Sequence, residues 1–301
     1  MRRFLLRDNR LHPFWRVTLY LAVHFVGVIL IAAGLTVLWL ILQAARGADL
    51  DALAAQVASD SSSPALLLAS GLISLGWALA LAGLCLRWID GVPFAALGFR
   101  RSLAGRDTLL GLAAGGVSML TVLGLFLAFG WMRVAAVTAP RADTGLAVFV
   151  ALAAAAASEE VVFRGYVLRA LAEWRGAAFA LGVSSILFAL AHLGNPGLTP
   201  LALTNIALAG VAFGLALQLT GRLWLPIAYH FAWNYFQGPL FGLPVSGLAL
   251  PAFLRVTLAG PTLWTGGAFG PEGGLIVSLI LISSLFLLLR LKPRRASSAG
   301  I

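Results

Sequence analysis

Acidic side chains are scarce in this chain. Only 11 of 301 residues are aspartate or glutamate, and all charged residues together make up 11%. A soluble domain usually carries about 25%. A surface this poor in charge does not face water, so lipid is the solvent that fits. Cysteine is nearly absent: Cys85 stands alone, which excludes an intrachain disulfide and a CxxC metal site. It sits in an apolar run and reads as a small buried hydrophobe. There is no GxSxG nucleophile elbow and no HExxH zinc motif. No internal repeat and no soluble domain stand out.

What is present is apolar. Hydrophobic residues reach 60% and the mean hydropathy is +0.96. The formal charge of +10 comes from 21 basic residues. They fall in short segments between apolar runs, so they read as membrane topology rather than a nucleic-acid surface. No nucleic-acid partner is expected.

A spanning helix needs about 20 apolar residues. Eight candidates follow: Val17 to Gln43, Pro64 to Leu86, Thr108 to Met132, Gly145 to Leu171, Ala177 to His192, Leu198 to Leu219, Leu223 to Phe236 and Gly274 to Leu289. The fifth and seventh are short and make sense only inside a bundle or tilted. The apolar run after the basic N-terminus is too long for a signal-peptide core and is taken as the first span. Arg2, Arg3, Arg7 and Arg10 precede it. Arg87, Arg100, Arg101, Arg106, Arg169, Arg175, Arg222, Lys292, Arg294 and Arg295 all fall on the same side if eight spans are counted. Asp49, Asp51 and Asp60 fall opposite. The positive-inside rule then puts both termini in the cytoplasm. The expected fold is an all-α integral membrane protein of about eight helices, one polytopic domain over 1–301.

The Gly- and Pro-rich stretch Gln237 to Pro271 reads as a loop or partly re-entrant segment on the outer side. Glu272, just beyond it, is expected to be an exposed loop residue, with contact to a substrate as the lesser alternative.

The chemistry sits inside the apolar runs. Glu159 and Glu160 lie in LAAAAASEEVVFRGYVLRAL. Charges at membrane depth are costly, so such residues face the bundle interior and have partners. Arg164 lies four residues after Glu160 on the same helix face, which predicts an intrahelical ion pair. Glu159 points about 100° away and is left for another task. His192 ends SSILFALAHLG. His230 and Asn234 lie four apart in LPIAYHFAWNYF. At 1.5 Å per residue, Glu159 and His192 each lie about 20 Å from the cytoplasmic ends, and His230 about 10 Å. One shared cavity is expected.

A carboxylate, two imidazoles and an amide can activate water and stabilise an oxyanion. Two histidines with one glutamate, here Glu159, His192 and His230, are also a known zinc ligand set, so a divalent metal such as zinc is a candidate cofactor. The same groups can relay protons in a transporter. These residues by themselves leave hydrolase and transporter equally open.

At these residues the chain resembles the CPBP intramembrane proteases, a family that includes the type II CAAX prenyl endopeptidases and bacteriocin-processing or immunity proteins. The family's EExxxR motif is matched by Glu159-Glu160-Val161-Val162-Phe163-Arg164. Its FxxxH motif is matched by Phe188 to His192, and its third motif by His230 to Asn234. The core of the resemblance spans 145–236. It implies an endopeptidase acting on a membrane-associated, CAAX-like or bacteriocin-type substrate in a bacterial cytoplasmic membrane. Glu159 would be the general base and His192 its assistant. His230 and Asn234 would stabilise the oxyanion, and Glu160 with Arg164 would support the site. The family is called metalloprotease, while a metal-free glutamate mechanism is also proposed for it. A non-catalytic immunity or scaffold protein and a proton-coupled transporter are the alternatives.

Overall fold

The computed structural model describes residues 6–7, 10–49, 51–53, 55 and 63–291. Arg2, Arg3, Asp60, Lys292, Arg294 and Arg295, used above for orientation, lie outside the described residues, as does the side chain of Arg7.

The chain is a helical bundle. Its helices are α1 (Pro13–Ala44), α2 (Pro64–Leu84), α3 (Ala104–Ala128), α4 (Ala142–Glu160), α5 (Arg169–Leu190), α6 (Pro200–Thr220), α7 (Trp224–Tyr235) and α8 (Leu275–Arg290). Among the described residues, five helical runs are long and apolar enough to cross a bilayer: Pro13–Ala44, Pro64–Asp90, Ala104–Ala128, Ala142–Leu190 and Pro200–Thr220. The Ala142–Leu190 run has 49 residues, far beyond one crossing. It breaks at Arg175 and Gly176, where Gly176 takes φ 82°. Glycine alone adopts that conformation freely, so the break separates the expected fourth and fifth spans.

Large apolar side chains stay exposed along α1, α3 and α8, among them Ile29, Leu30, Leu109, Val117, Leu287 and Leu289. In water this would be a liability; against acyl chains it is the expected surface. Proline at the first turn starts α1, α2 and α6, where its missing N–H has no helical partner to lose.

The fold is not purely helical. The described residues form two small antiparallel sheets: β1 (Leu6–Arg7) with β2 (Arg10–Leu11), and β3 (Met132–Val137) with β4 (Leu254–Leu258). The expected third span therefore ends early: α3 stops at Ala128 and Met132 opens β3. Met132 pairs with Leu258 across the sheet. The stretch after α7 is a built segment rather than a plain loop. It holds a π-helical turn (Phe236–Leu240), β4 and three short helical turns before α8.

Two packing features position the site. Gly111 and Gly115 of α3 lie four apart and face α7. A Cβ on either would stand 2.5 Å from a backbone oxygen, of Leu225 and Tyr229 respectively. Small residues at this spacing let two membrane helices approach backbone to backbone, and α7 carries His230 and Asn234. Elsewhere in the bundle, Asp90 is buried and accepts from both Arg16 and Arg169. Arg16 also bonds Glu173 at 2.7 Å. This network ties α1, the turn after α2 and α5 together, and every buried charge in it has a partner.

Candidate active site

The Glu159–Glu160 pair ends α4. Directly after it the helix widens into a π-helical stretch, Val161–Leu168, whose eight residues are all buried. A π segment shifts helix register and is found mostly at functional positions. Arg164 lies in it. Its Nη1 donates to Glu160 Oε1 at 3.1 Å, and both side chains are 0% exposed. The predicted ion pair is present. The Arg164 guanidinium also lies 4.2 Å from the Phe188 ring centroid and 5.2 Å from that of Phe213. Aromatic faces thus replace part of the hydration the cation loses.

Glu160 does more than pair with Arg164. Its Oε1 accepts from His230 Nδ1 at 3.0 Å. A carboxylate only accepts, so Nδ1 carries the proton and Nε2 faces the other way. The ring also stacks on Phe213 of α6, with centroids 5.1 Å apart and planes 17° from parallel. His192, in the turn after α5, is oriented by a different partner. Its Nδ1 donates to the Phe188 carbonyl at 2.8 Å, which again turns Nε2 outward.

Both outward nitrogens meet Glu159. Its Oε2 lies 3.8 Å from His230 Nε2 and 4.0 Å from His192 Nε2. The Glu159 side chain is 36% exposed, against 0% for Glu160. Among the described residues Glu159 Oε2 has no hydrogen-bond partner. A gap of this size accommodates a water at about 2.8 Å from the carboxylate and from either imidazole.

A cavity adjoins this gap. His192, His230 and Asn234 line it, as do Asn205, Ser246 and Glu272. Its room for water is about 40 Å³, enough for roughly two or three molecules. Asn234 stands one helical turn beyond His230, so the two present polar groups to the same space.

Glu272 corrects the sequence reading. It is not an exposed loop residue: it is largely enclosed and lines this cavity. Its Oε2 accepts from the Ser246 N–H at 2.6 Å and from Ser246 Oγ at 2.8 Å. Burial pushes its carboxyl above the ordinary carboxylate range, while the two Ser246 bonds, nearby His192 and Gln237 pull it back. Asn205 of α6 was not anticipated either. Its Nδ2 donates to the carbonyls of Glu272 and Gly274 at 2.8 and 3.0 Å, and its Oδ1 accepts from Ser278 at 2.7 Å. It fastens the Glu272 segment to α6 and α8. A lone asparagine in an apolar run carried no more signal than its cost of burial.

Glu159, His192 and His230, the candidate zinc ligands, stand too far apart for a shared ion. Ligands of a tetrahedral zinc at about 2.0–2.1 Å stand roughly 3.3 Å from one another. The Glu159 oxygen is 3.8 and 4.0 Å from the imidazole nitrogens. Among the described residues no three His, Cys, Asp or Glu side chains are grouped to hold a metal ion. As they stand, these residues do not fit the metal.

Residues 141–236 match the family described as type II CAAX prenyl endopeptidase Rce1-like. Glu159, Glu160, Arg164, His192, His230 and Asn234 all fall inside the matched segment. No curated protein and no solved structure matches the chain.

Proposed function

We propose that this chain, which belongs to the Rce1-like family of type II CAAX prenyl endopeptidases through residues 141–236, hydrolyses a peptide bond of a membrane-associated substrate with water activated by Glu159. One observation carries this reading. A half-exposed carboxylate faces two imidazole nitrogens at water-bridging distance, in a membrane bundle, beside a cavity that also holds an amide.

Glu159 takes a proton from water as the oxygen attacks the carbonyl carbon. His192 Nε2, held outward by the Phe188 carbonyl, shares that proton and hands it to the leaving nitrogen. The carbonyl oxygen becomes an oxyanion. Asn234 donates to it through its amide. His230 also donates, and this sets a condition. Its Nδ1 proton is committed to Glu160, so its Nε2 proton requires the imidazolium form. The Glu160 carboxylate faces that charge, and Arg164 holds Glu160 in place. Collapse of the intermediate breaks the C–N bond and returns Glu159 to its carboxylate. No step uses a metal.

Eight crossings with both termini in the cytoplasm, in a bacterial inner membrane, accord with the loop charges. Reporter fusions at the helix connections test that topology.

The decisive test is cleavage of a fluorogenic, farnesylated CAAX peptide, and of a membrane-anchored peptide without the prenyl group, by purified protein. Glu159→Gln lowers the rate by about 10²–10⁴ with folding unchanged. Undiminished cleavage by Glu159→Gln overturns the reading. Activity lost on chelation and restored by zinc returns the metal to the mechanism.

A further inference from the structure

The connector from α2 to α3 takes no part in the mechanism above. It holds a π-helical turn (Cys85–Asp90) and a short helical turn (Phe94–Leu97). The stretch 84–110 carries two carboxylates, Asp90 and Asp107, and four arginines, Arg87, Arg100, Arg101 and Arg106. Both carboxylates are buried, and both are taken by arginines from other parts of the chain. Asp90 pairs with Arg16 and Arg169, and Asp107 with Arg222. The four local arginines are exposed, and among the described residues none of them has an ion-pair partner. This end of the bundle therefore carries positive charge that its own acids do not neutralise.

Aromatic side chains stand among these arginines. Trp88 is 72% exposed and Phe94 47%. Trp224 Nε1 donates to the Arg100 carbonyl at 2.9 Å, and its ring meets that of Phe99 edge-on at 5.4 Å. Exposed arginine does not settle in hydrocarbon, and exposed tryptophan collects at headgroup level, so the connector lies in the headgroup layer. Orientation by loop charge needs only basic residues in the loop. It does not require the local acids to be drawn inside or rings to flank the arginines. Those two features suit a surface that meets phosphate, which guanidinium groups bind bidentately. The connector also bears on the site. Leu97 packs against Gly165 in the π stretch of Arg164, and the Leu223 N–H, just before α7, donates to the Gly98 carbonyl at 3.1 Å. What seats the connector thus also seats the elements that carry Arg164 and His230.

We propose that Arg87, Arg100, Arg101 and Arg106, with Trp88 and Phe94 beside them, form a docking surface for anionic phospholipid headgroups of the adjoining leaflet. A zwitterionic headgroup brings its own ammonium, which competes with the arginines for the phosphate. An anionic headgroup such as phosphatidylglycerol does not, so it is the favoured occupant. This surface is independent of the peptidase reading and is measured without cleavage.

The test reconstitutes the full-length protein in phosphatidylcholine bilayers that hold a trace of spin-labelled phosphatidylglycerol or spin-labelled phosphatidylcholine. Electron spin resonance gives the relative association of the two lipids with the protein. The native protein is expected to favour phosphatidylglycerol by about threefold or more at low salt, and by less at about 1 M NaCl, where such contacts are screened. The quadruple variant with Arg87→Gln, Arg100→Gln, Arg101→Gln and Arg106→Gln is expected to lose about half of that preference or more. Arg133→Gln with Arg255→Gln removes two exposed arginines from β3 and β4, beyond the far end of α3, and is expected to leave the preference unchanged. Equal association of the two lipids with the native protein overturns the proposal. A preference that survives the quadruple variant, or that falls as far in the β3–β4 variant, overturns it too. Loss of the preference to excess glycerol phosphate at constant ionic strength assigns the arginines to a soluble anion and likewise overturns it. If the quadruple variant does not reconstitute, Arg87→Gln with Arg106→Gln and Arg100→Gln with Arg101→Gln decide by the same comparison.

Discussion

Glu160, Arg164 and His230 form a buried polar cluster, and a double-mutant cycle on the first two measures its coupling. Glu160 and Arg164 are both fully buried and 3.1 Å apart. At an effective dielectric near 20 their attraction is about 5 kcal/mol. Much of this offsets the desolvation of two ions, so the net value of the pair is far smaller than the cost of breaking it. Glu160→Gln leaves Arg164 and His230 without their shared carboxylate. Arg164→Met leaves Glu160 with His230 as its one remaining partner at 3.0 Å. Each is expected to destabilise the fold by about 3–5 kcal/mol, with Glu160→Gln the worse. The double variant removes both charges and keeps most of the volume. Its cost is expected to fall at least about 2 kcal/mol short of the sum. Reversible unfolding in mixed micelles, followed by tryptophan fluorescence, supplies the four free energies. Additivity within about 0.5 kcal/mol would refute the coupling of the pair.

Asn234→Ala is expected to lower kcat by about 10²–10³ with little change in KM, the signature of an oxyanion donor; a raised KM with kcat unchanged argues for a binding role instead. Asn205→Leu leaves the carbonyls of Glu272 and Gly274 without their donor and is expected to cost about 2–4 kcal/mol. Hydrogen exchange should report it as lost protection in 266–276, with α1 unaffected. Asp90→Asn removes the carboxylate that receives both Arg16 and Arg169. It is expected to destabilise the protein by about 3–5 kcal/mol, seen in thermal unfolding, and a shift under about 1 kcal/mol would mean Glu173 alone suffices for both arginines.

Much of the architecture was legible because lipid imposes a simple rule. Each expected span has a helix over its middle, since a run such as Leu198 to Leu219 has no other way to satisfy its backbone in hydrocarbon. The Glu160–Arg164 pair was legible for the same reason: helical spacing of four decides which side chains meet. Boundaries were less legible. Met132 is as apolar as the helix before it, and only its pairing with Leu258, well over a hundred residues later, takes it into a strand. The break at Arg175 and Gly176 left a signal in the glycine but not one that separates a kink from a continuation.

Composition and the 3.6-residue period are local properties, and they suffice to place this protein in lipid and to set Glu159, Glu160, Arg164, His192, His230 and Asn234 as polar groups within apolar runs. Which of these groups touch one another depends on packing between helices. Glu160 turned out to hold His230 as well as Arg164, because α4 and α7 bring them within 3.0 Å. Glu272 moved from an exposed loop to the wall of the cavity, because Asn205 and Ser246 from distant parts of the chain converge on it. Contacts between residues far apart in sequence have no period, so no reading of one helix at a time reaches them.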